Sequence, residues 1–124
     1  MRPLIHPPID NVTVEGILHA LSDPVRVSIY ADLTQADSAT TCSSFLRVSN
    51  RDIPKSTLSQ HFKTLREAGL VYSERHGVEM LNRSRCAEID QRFPGLISAI
   101  LNAHCLQANG ADRATKRKNT ARKK

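Results

Sequence analysis

The stretch from Ile53 to Arg83 limits what this chain can fold into more than any other. Ile53-Pro54 opens a helix expected to run to about Ala68, and Gly69 is placed to cap its C-terminus. A hairpin is predicted directly after it, with strands Leu70 to His76 and Val78 to Arg83. His76-Gly77 supplies the turn, because glycine takes a positive φ readily. Just upstream, a short helix from Ser43 to Val48 is expected to bury Phe45 and Leu46, and Ser49-Asn50-Arg51-Asp52 reads as a turn. A short helix, a tight turn and a longer helix make a helix-turn-helix. A hairpin immediately after makes it winged.

The flanks are helical. Val14, Ile17, Leu18 and Leu21 fall on one face of a helix beginning near Asn11 or Thr13. Asp23 suits an N-cap and Pro24 the first helical position of a second helix, which carries Val25, Ile29 and Leu33 with Tyr30 beside them. Residues 35–41 read as a polar connection. A last helical region spans about Cys86 to Ala108, interrupted at Phe93-Pro94-Gly95, with Leu96, Ile97, Ile100, Leu101, His104 and Ala108 as its stripe. The expected organisation is a Pro-rich extension over residues 1–10, a mainly α winged domain over 11–108, and a disordered basic tail over 109–124, which has no large apolar residue from Ala111 onward. With 124 residues there is room for one core. No apolar run reaches the ~20 residues of a membrane helix. The first eight residues, broken by prolines, lack the continuous apolar stretch of a signal peptide, so a cytoplasmic protein is expected.

Charge placement points to a polyanion. The net +6 resides in residues 112–124, so the remaining 111 residues sum to zero. Within those, residues 1–46 carry −3, residues 47–85 carry +4 and residues 86–111 carry −1. The positive field therefore lies over the helix-turn-helix and hairpin, as suits nucleic acid.

The long helix divides cleanly by face. With Leu58 as reference, Phe62 and Leu65 lie within about 40° of it on a 3.6-residue wheel. Ser56, Ser59, Gln60, Lys63 and Glu67 lie opposite, and Thr57, His61 and Thr64 form a flank. Short hydroxyls, an amide, an imidazole and a lysine suit base edges in a major groove: Gln pairs bidentately with adenine, Ser and Thr reach any base, and Lys reads guanine or phosphate. Candidate base-reading residues are Ser56, Thr57, Ser59, Gln60, His61 and Lys63. Arg47, Arg51, Lys55 and Arg66 are candidate phosphate contacts. Any amphipathic helix has a polar outer face; the adjoining hairpin and the local positive charge favour DNA.

Two stretches carry a family resemblance. Ala20 to Tyr30 (ALSDPVRVSIY) is similar to the ALADPTRRRIL opening of the ArsR-type winged-helix repressors. Ser56 to Val71 (STLSQHFKTLREAGLV) resembles that family's recognition helix, STVSRHLKVLREAGLV. The resemblance covers roughly residues 11–108. It implies a homodimer built on the first and last helices, with two recognition helices in successive major grooves of an imperfect palindrome. It implies repression by promoter occlusion, relieved by an inducer. It places Arg75, His76, Gly77 and Glu79 at the wing tip, with Arg75 as the best wing contact.

The chain departs from the family where relatives sense metals. Their Cys-Val-Cys corresponds to Cys42-Ser43-Ser44 here, so the second thiolate is missing and a soft-metal site is not expected. The stretch between Leu46 and Ser56 is about one residue longer than the family's. At the zinc positions of the last helices, Asp90 is present but Arg92 stands beside it, and Gln107 replaces the acid near His104. The least unsuitable remaining donors are His104 and Cys105 with His6 or His19 of a second copy. No metal or cofactor is expected. Cys42, Cys86 and Cys105 are candidate redox residues, with Cys86 favoured because Arg83 and Arg85 precede it and a positive setting lowers a thiol pKa.

Rival classes remain. An enzyme is not expected, since no spacing brings a nucleophile, a base and an orienting acid together. A non-specific architectural or RNA-binding protein draws support from the basic tail, although the scarcity of aromatics opposes base stacking. A thiol redox-sensing repressor and a winged helix used only for protein contacts are the others. The expected partner is double-stranded promoter DNA, with no membrane and no identified inducer.

Overall fold

The computed structural model describes residues 4, 6–35, 40–41, 47–48 and 51–122. The chain divides into two units, Met1–Pro94 and Gly95–Lys124.

In the first unit a 3-10 turn at Ile9–Asn11 leads into α1, Val14–Ala20. The Thr13 side chain accepts from the Gly16 N–H at 3.0 Å and caps α1. Its inner face is Ile17, Ala20 and Leu21, while Leu18, expected on that face, is 49% exposed. Helix α2 spans Pro24–Gln35. Asp23 Oδ1 accepts from the backbone of Val25 (2.8 Å) and Arg26 (3.1 Å), the expected N-cap with proline at the first helical position. Val27, Ile29, Tyr30 and Leu33 are buried; Val25 is only half-buried. The Tyr30 hydroxyl lies in the core with no hydrogen-bond partner among the described residues, and burial pushes its pKa up.

Strands β1 (Thr40–Thr41), β2 (Arg47–Val48) and β3 (Arg51–Asp52) precede α3, Lys55–Glu67. The short helix expected over 43–48 is corrected at its end: Arg47 and Val48 are extended and pair with Asp52 and Arg51. Valine is β-branched and favours extended backbone. Residues 42–46 lie outside the described residues, and so do Ser49 and Asn50 of the expected turn.

Helix α3 ends as a Schellman motif. Gly69 has φ +86°, its N–H donates to Arg66 O and the Leu70 N–H donates to Leu65 O, each at 3.0 Å. Strands β4 (Val71–His76) and β5 (Glu79–Ser84) pair antiparallel from Val71↔Ser84 to His76↔Glu79. The two-residue loop is thus Gly77-Val78 rather than His76-Gly77, with φ +64° at Gly77. Strand β1 pairs with the far edge of β5 at Leu81 and Asn82, giving the order β1-β5-β4, so the hairpin gains a third strand along its middle. Helix α4 spans Cys86–Arg92 and buries Ile89. The core of this unit lies between α2, α3 and the hairpin, where Tyr30, Phe62, Leu65, Leu70 and Val71 are fully buried.

The second unit is α5, Leu96–Arg122, begun after Gly95 at φ +82°. Ile97 is buried, Leu96, Ile100, Leu101 and His104 are half-buried, and Leu106 is exposed. The tail expected to be disordered from 109 is helical through Arg122. Its Ala, Arg and Lys content favours helix on propensity, even without an apolar stripe. Among the described residues no helix is long and apolar enough to cross a membrane.

Candidate nucleic-acid interface

The sequence pins α3 by one face and leaves the other open. Leu58, Phe62 and Leu65 are 0–2% exposed, as their spacing predicts, and Ile53 just before the helix is also buried. Opposite them Lys55, Ser56, Thr57, Ser59, Gln60, Lys63 and Glu67 are all exposed. Six of these residues are hydrogen-bonding or cationic groups that can meet a base edge or a phosphate. Lys63 Nζ stands 4.0 Å from Glu67, one turn on, with both side chains more than half exposed. An exposed pair of this kind contributes little, so Lys63 is not consumed by it.

Two expected contacts are placed differently. His61 is half-buried on the flank and faces Asp23 at the start of α2. Burial raises the Asp23 pKa, but the backbone N–H groups of Arg26 and Val25, the Arg26 guanidinium and His61 together hold it below the ordinary value of 3.8. Arg66 is half-buried, and its Nη1 donates to Ser73 Oγ at 3.2 Å. It ties α3 to the hairpin, whereas Lys55 stays on the open side. The side chains of Arg47 and Arg51 lie outside the described residues.

That tie is part of a buried polar cluster with no counterpart in the sequence reading. Ser73 and Asn82 face each other across β4 and β5, are 1% and 0% exposed, and Ser73 Oγ donates to Asn82 Oδ1 at 2.6 Å. Asn82 Nδ2 in turn donates to Met80 O at 3.3 Å. Each satisfied group avoids a penalty of about 1–3 kcal/mol, so the cluster fixes the hairpin against α3. Counting back from a Gly77-Val78 loop would have put these two residues opposite each other.

The hairpin tip is less cationic than expected. Arg75, His76, Gly77 and Glu79 are exposed, and Val78 is fully exposed. His76 Nε2 lies 3.1 Å from Glu74 Oε2, and that bond holds the Glu74 carboxyl low. With His76 neutral, residues 74–79 sum to −1, so the positive field belongs to the helix-turn-helix and not to the tip.

The cysteine expectations change. Cys86 opens α4 half-buried, and burial with Asp90 one turn later pushes its thiol pKa up, opposite to the predicted direction. The two arginines in front of it are committed elsewhere: Arg83 lies over the Tyr72 ring at 4.6 Å, and Arg85 Nε donates to Glu88 at 2.9 Å. Cys105 is exposed, and its thiol accepts from Asn109 Nδ2 at 3.7 Å. Cys42 lies outside the described residues. Arg92, the departure from the family's zinc position, donates to the carbonyls of Ile9 and Val12. Asp90 and Gln107 are exposed, His104 is half-buried, and His19 is exposed.

Residues 21–74 match the family model described as a helix-turn-helix domain. The chain is 37% identical over 78 residues to the HTH-type transcriptional repressor SmtB of two Mycobacterium tuberculosis strains, which is 62% of this chain and 55% of the relative. It thus spans about half the length of the curated relatives it matches. Among solved structures it is similar to the transcriptional repressor BigR from Xylella fastidiosa, with 27% identity, a TM-score of 0.56, and coverage of 73% of this chain and 84% of that one. Reduced HlyU from Vibrio cholerae shares the fold at 22% identity and a TM-score of 0.54, covering 73% of this chain and 87% of that one.

Proposed function

We propose that the chain is an ArsR-type winged helix-turn-helix protein and acts as a cytoplasmic, sequence-specific DNA-binding repressor. The observation that carries this reading is the exposed Ser, Thr, Gln and Lys face of α3, on a helix whose opposite face is locked in the core. Gln60 reads adenine, Ser56, Thr57 and Ser59 reach neighbouring base edges, and Lys63 takes guanine or phosphate. Lys55, with Arg47 and Arg51, contacts the backbone. Arg75, His76 and Gly77 touch the flanking duplex from the tip, a minor part given its net charge of −1. His61 contacts DNA from the flank only insofar as Asp23 leaves it free. Arg66 acts from behind, holding the hairpin to the helix.

The active species is a homodimer through α1 and α5, which sets two α3 helices on an imperfect palindrome. Occupancy of that site blocks the promoter. The releasing signal is unidentified and does not use a Cys-x-Cys metal site, because Ser44 stands where the second thiolate would be. The raised thiol of Cys86 removes the main support for a redox trigger there.

Selection of the purified protein on a random duplex pool tests the proposal. Enrichment of a two-fold-related sequence is expected. A pool that stays random while binding collapses with salt favours instead the architectural reading, carried by the basic tail.

A further inference from the structure

The N-terminal segment, residues 6–12, is strapped along the base of the hairpin and α4. Arg85 Nη1 donates to Pro7 O at 2.8 Å, and Arg92 donates to Ile9 O and Val12 O. These ties run from guanidinium groups to carbonyls, and neither end titrates near neutrality. The leading end is held differently. The Ser73 backbone N–H donates to His6 Nε2 at 3.0 Å, and the His6 ring stacks on Tyr72 with centroids 4.4 Å apart and planes at 25°.

Strand β4 is an edge of the β1-β5-β4 sheet, so the Ser73 N–H needs a partner from outside the sheet. An imidazole nitrogen accepts only while it carries no proton; as the cation, both ring nitrogens are donors. Burial and the nearest cations oppose that cation. Arg66 approaches from α3 and Arg85 from the β5–α4 junction, where it is 8% exposed. Arg83 of β5 lies over the same Tyr72 ring. The acid on α4, Glu88, is bound to Arg85, and Glu74 on β4 is bound to His76 with Tyr72 Oη at 3.5 Å. Burial first, then Arg66 and Arg85, hold the His6 pKa below its ordinary 6.5.

We propose that His6 is a proton-operated latch: neutral, it clamps the N-terminal strap to the edge of β4; protonated at Nε2, it lets the leading end of the strap go. The sign follows from the lowered pKa. The docked state binds the proton less readily than the free segment, so docking is complete above the ordinary value of 6.5. It is lost as pH falls from there through the docked value. The clamp acts on Ser73, whose hydroxyl also receives Arg66 of α3, so its release loosens the joint between the hairpin and the helix. An effect on operator affinity rests on the repressor reading above; the latch itself is read on the protein alone.

The test is amide exchange and histidine titration by NMR on the full chain and on His6→Gln. Protection of the Ser73 amide, corrected for intrinsic exchange, is expected at about pH 7.5 and lost at about pH 5, with the His6 ring titrating below its ordinary value. His6→Gln abolishes this pH step, whether or not the new amide docks. Equal Ser73 protection at both pH values, His6 titrating at or above 6.5, or a step that persists in His6→Gln overturns the latch. Failure of sequence-specific DNA binding moves none of these readouts, so the two proposals fail separately.

Discussion

Gly69→Ala is expected to cost this domain a large part of its stability. Gly69 sits at φ +86° as the left-handed residue of the Schellman motif, where an L side chain costs about 1–2 kcal/mol. A Cβ there also collides with Cγ2 of Val12 and meets its Cβ at 3.4 Å. Val12 has little room to yield. It is 2% exposed, and its carbonyl is held by Arg92. Forcing an extra carbon into such a site adds about 1–3 kcal/mol. The sum, about 2–5 kcal/mol, is a serious fraction of the roughly 5–15 kcal/mol that holds a domain folded. Urea denaturation followed by circular dichroism, at fixed protein concentration, measures it. Val12→Ala separates the two contributions. Alone it costs about 1–3 kcal/mol as a buried truncation, but combined with Gly69→Ala it removes the collision and the losses fall short of additive by about 1–3 kcal/mol. A loss below about 1 kcal/mol for Gly69→Ala refutes the reasoning altogether. Full additivity refutes the collision and leaves only the backbone strain.

Asp23→Ala should cost about 0.5–2 kcal/mol by uncapping α2. Because the folded pKa of Asp23 lies below 3.8, the advantage of the wild type is present above that value and lost as pH falls through the folded one. Denaturation across an acid pH series checks this, and a gap that survives at the lowest pH contradicts it. Gln60→Ala should weaken operator binding by about 1–3 kcal/mol and relax one position of the site; equal loss on random duplex speaks against base reading. Removing residues 112–124 should lower affinity for every duplex and flatten the dependence on salt, and an unchanged salt slope excludes the tail from phosphate contact.

What the sequence discloses follows from how local each signal is. The start of α2 rests on Asp23 and Pro24, the end of α3 on Gly69, and the break before α5 on Phe93-Pro94-Gly95. Each is a short-range conformational rule, and each is found where expected. The buried face of α3 follows from one period over three residues. Signals that depend on distant partners are not legible. Thr40 and Thr41 are too few to show alternation, so their pairing with β5 went unforeseen. Phe45 and Leu46 suggest a helix that would include Arg47 and Val48, yet the strand partner at 51–52 decides those two residues. The lack of an apolar stripe in the tail bears on packing and says nothing of helix propensity. For the site, the open face of α3 was legible residue by residue. The commitment of Arg66 to Ser73, of Arg85 to Glu88 and Pro7, and of His6 to the edge of β4 was not. In sequence those arginines read as free charge; with Arg85 engaged, burial and Asp90 set the direction of the Cys86 thiol pKa, upward.

The central claim is that the α3 face reads a DNA sequence. A salt titration of the purified protein on the promoter duplex upstream of its own gene, against a scrambled duplex of equal length, meets it most directly. The account predicts tight binding to the promoter, weak binding to the scramble, and a difference that persists as salt weakens both. Equal affinity for the two duplexes, lost together as salt rises, would contradict it.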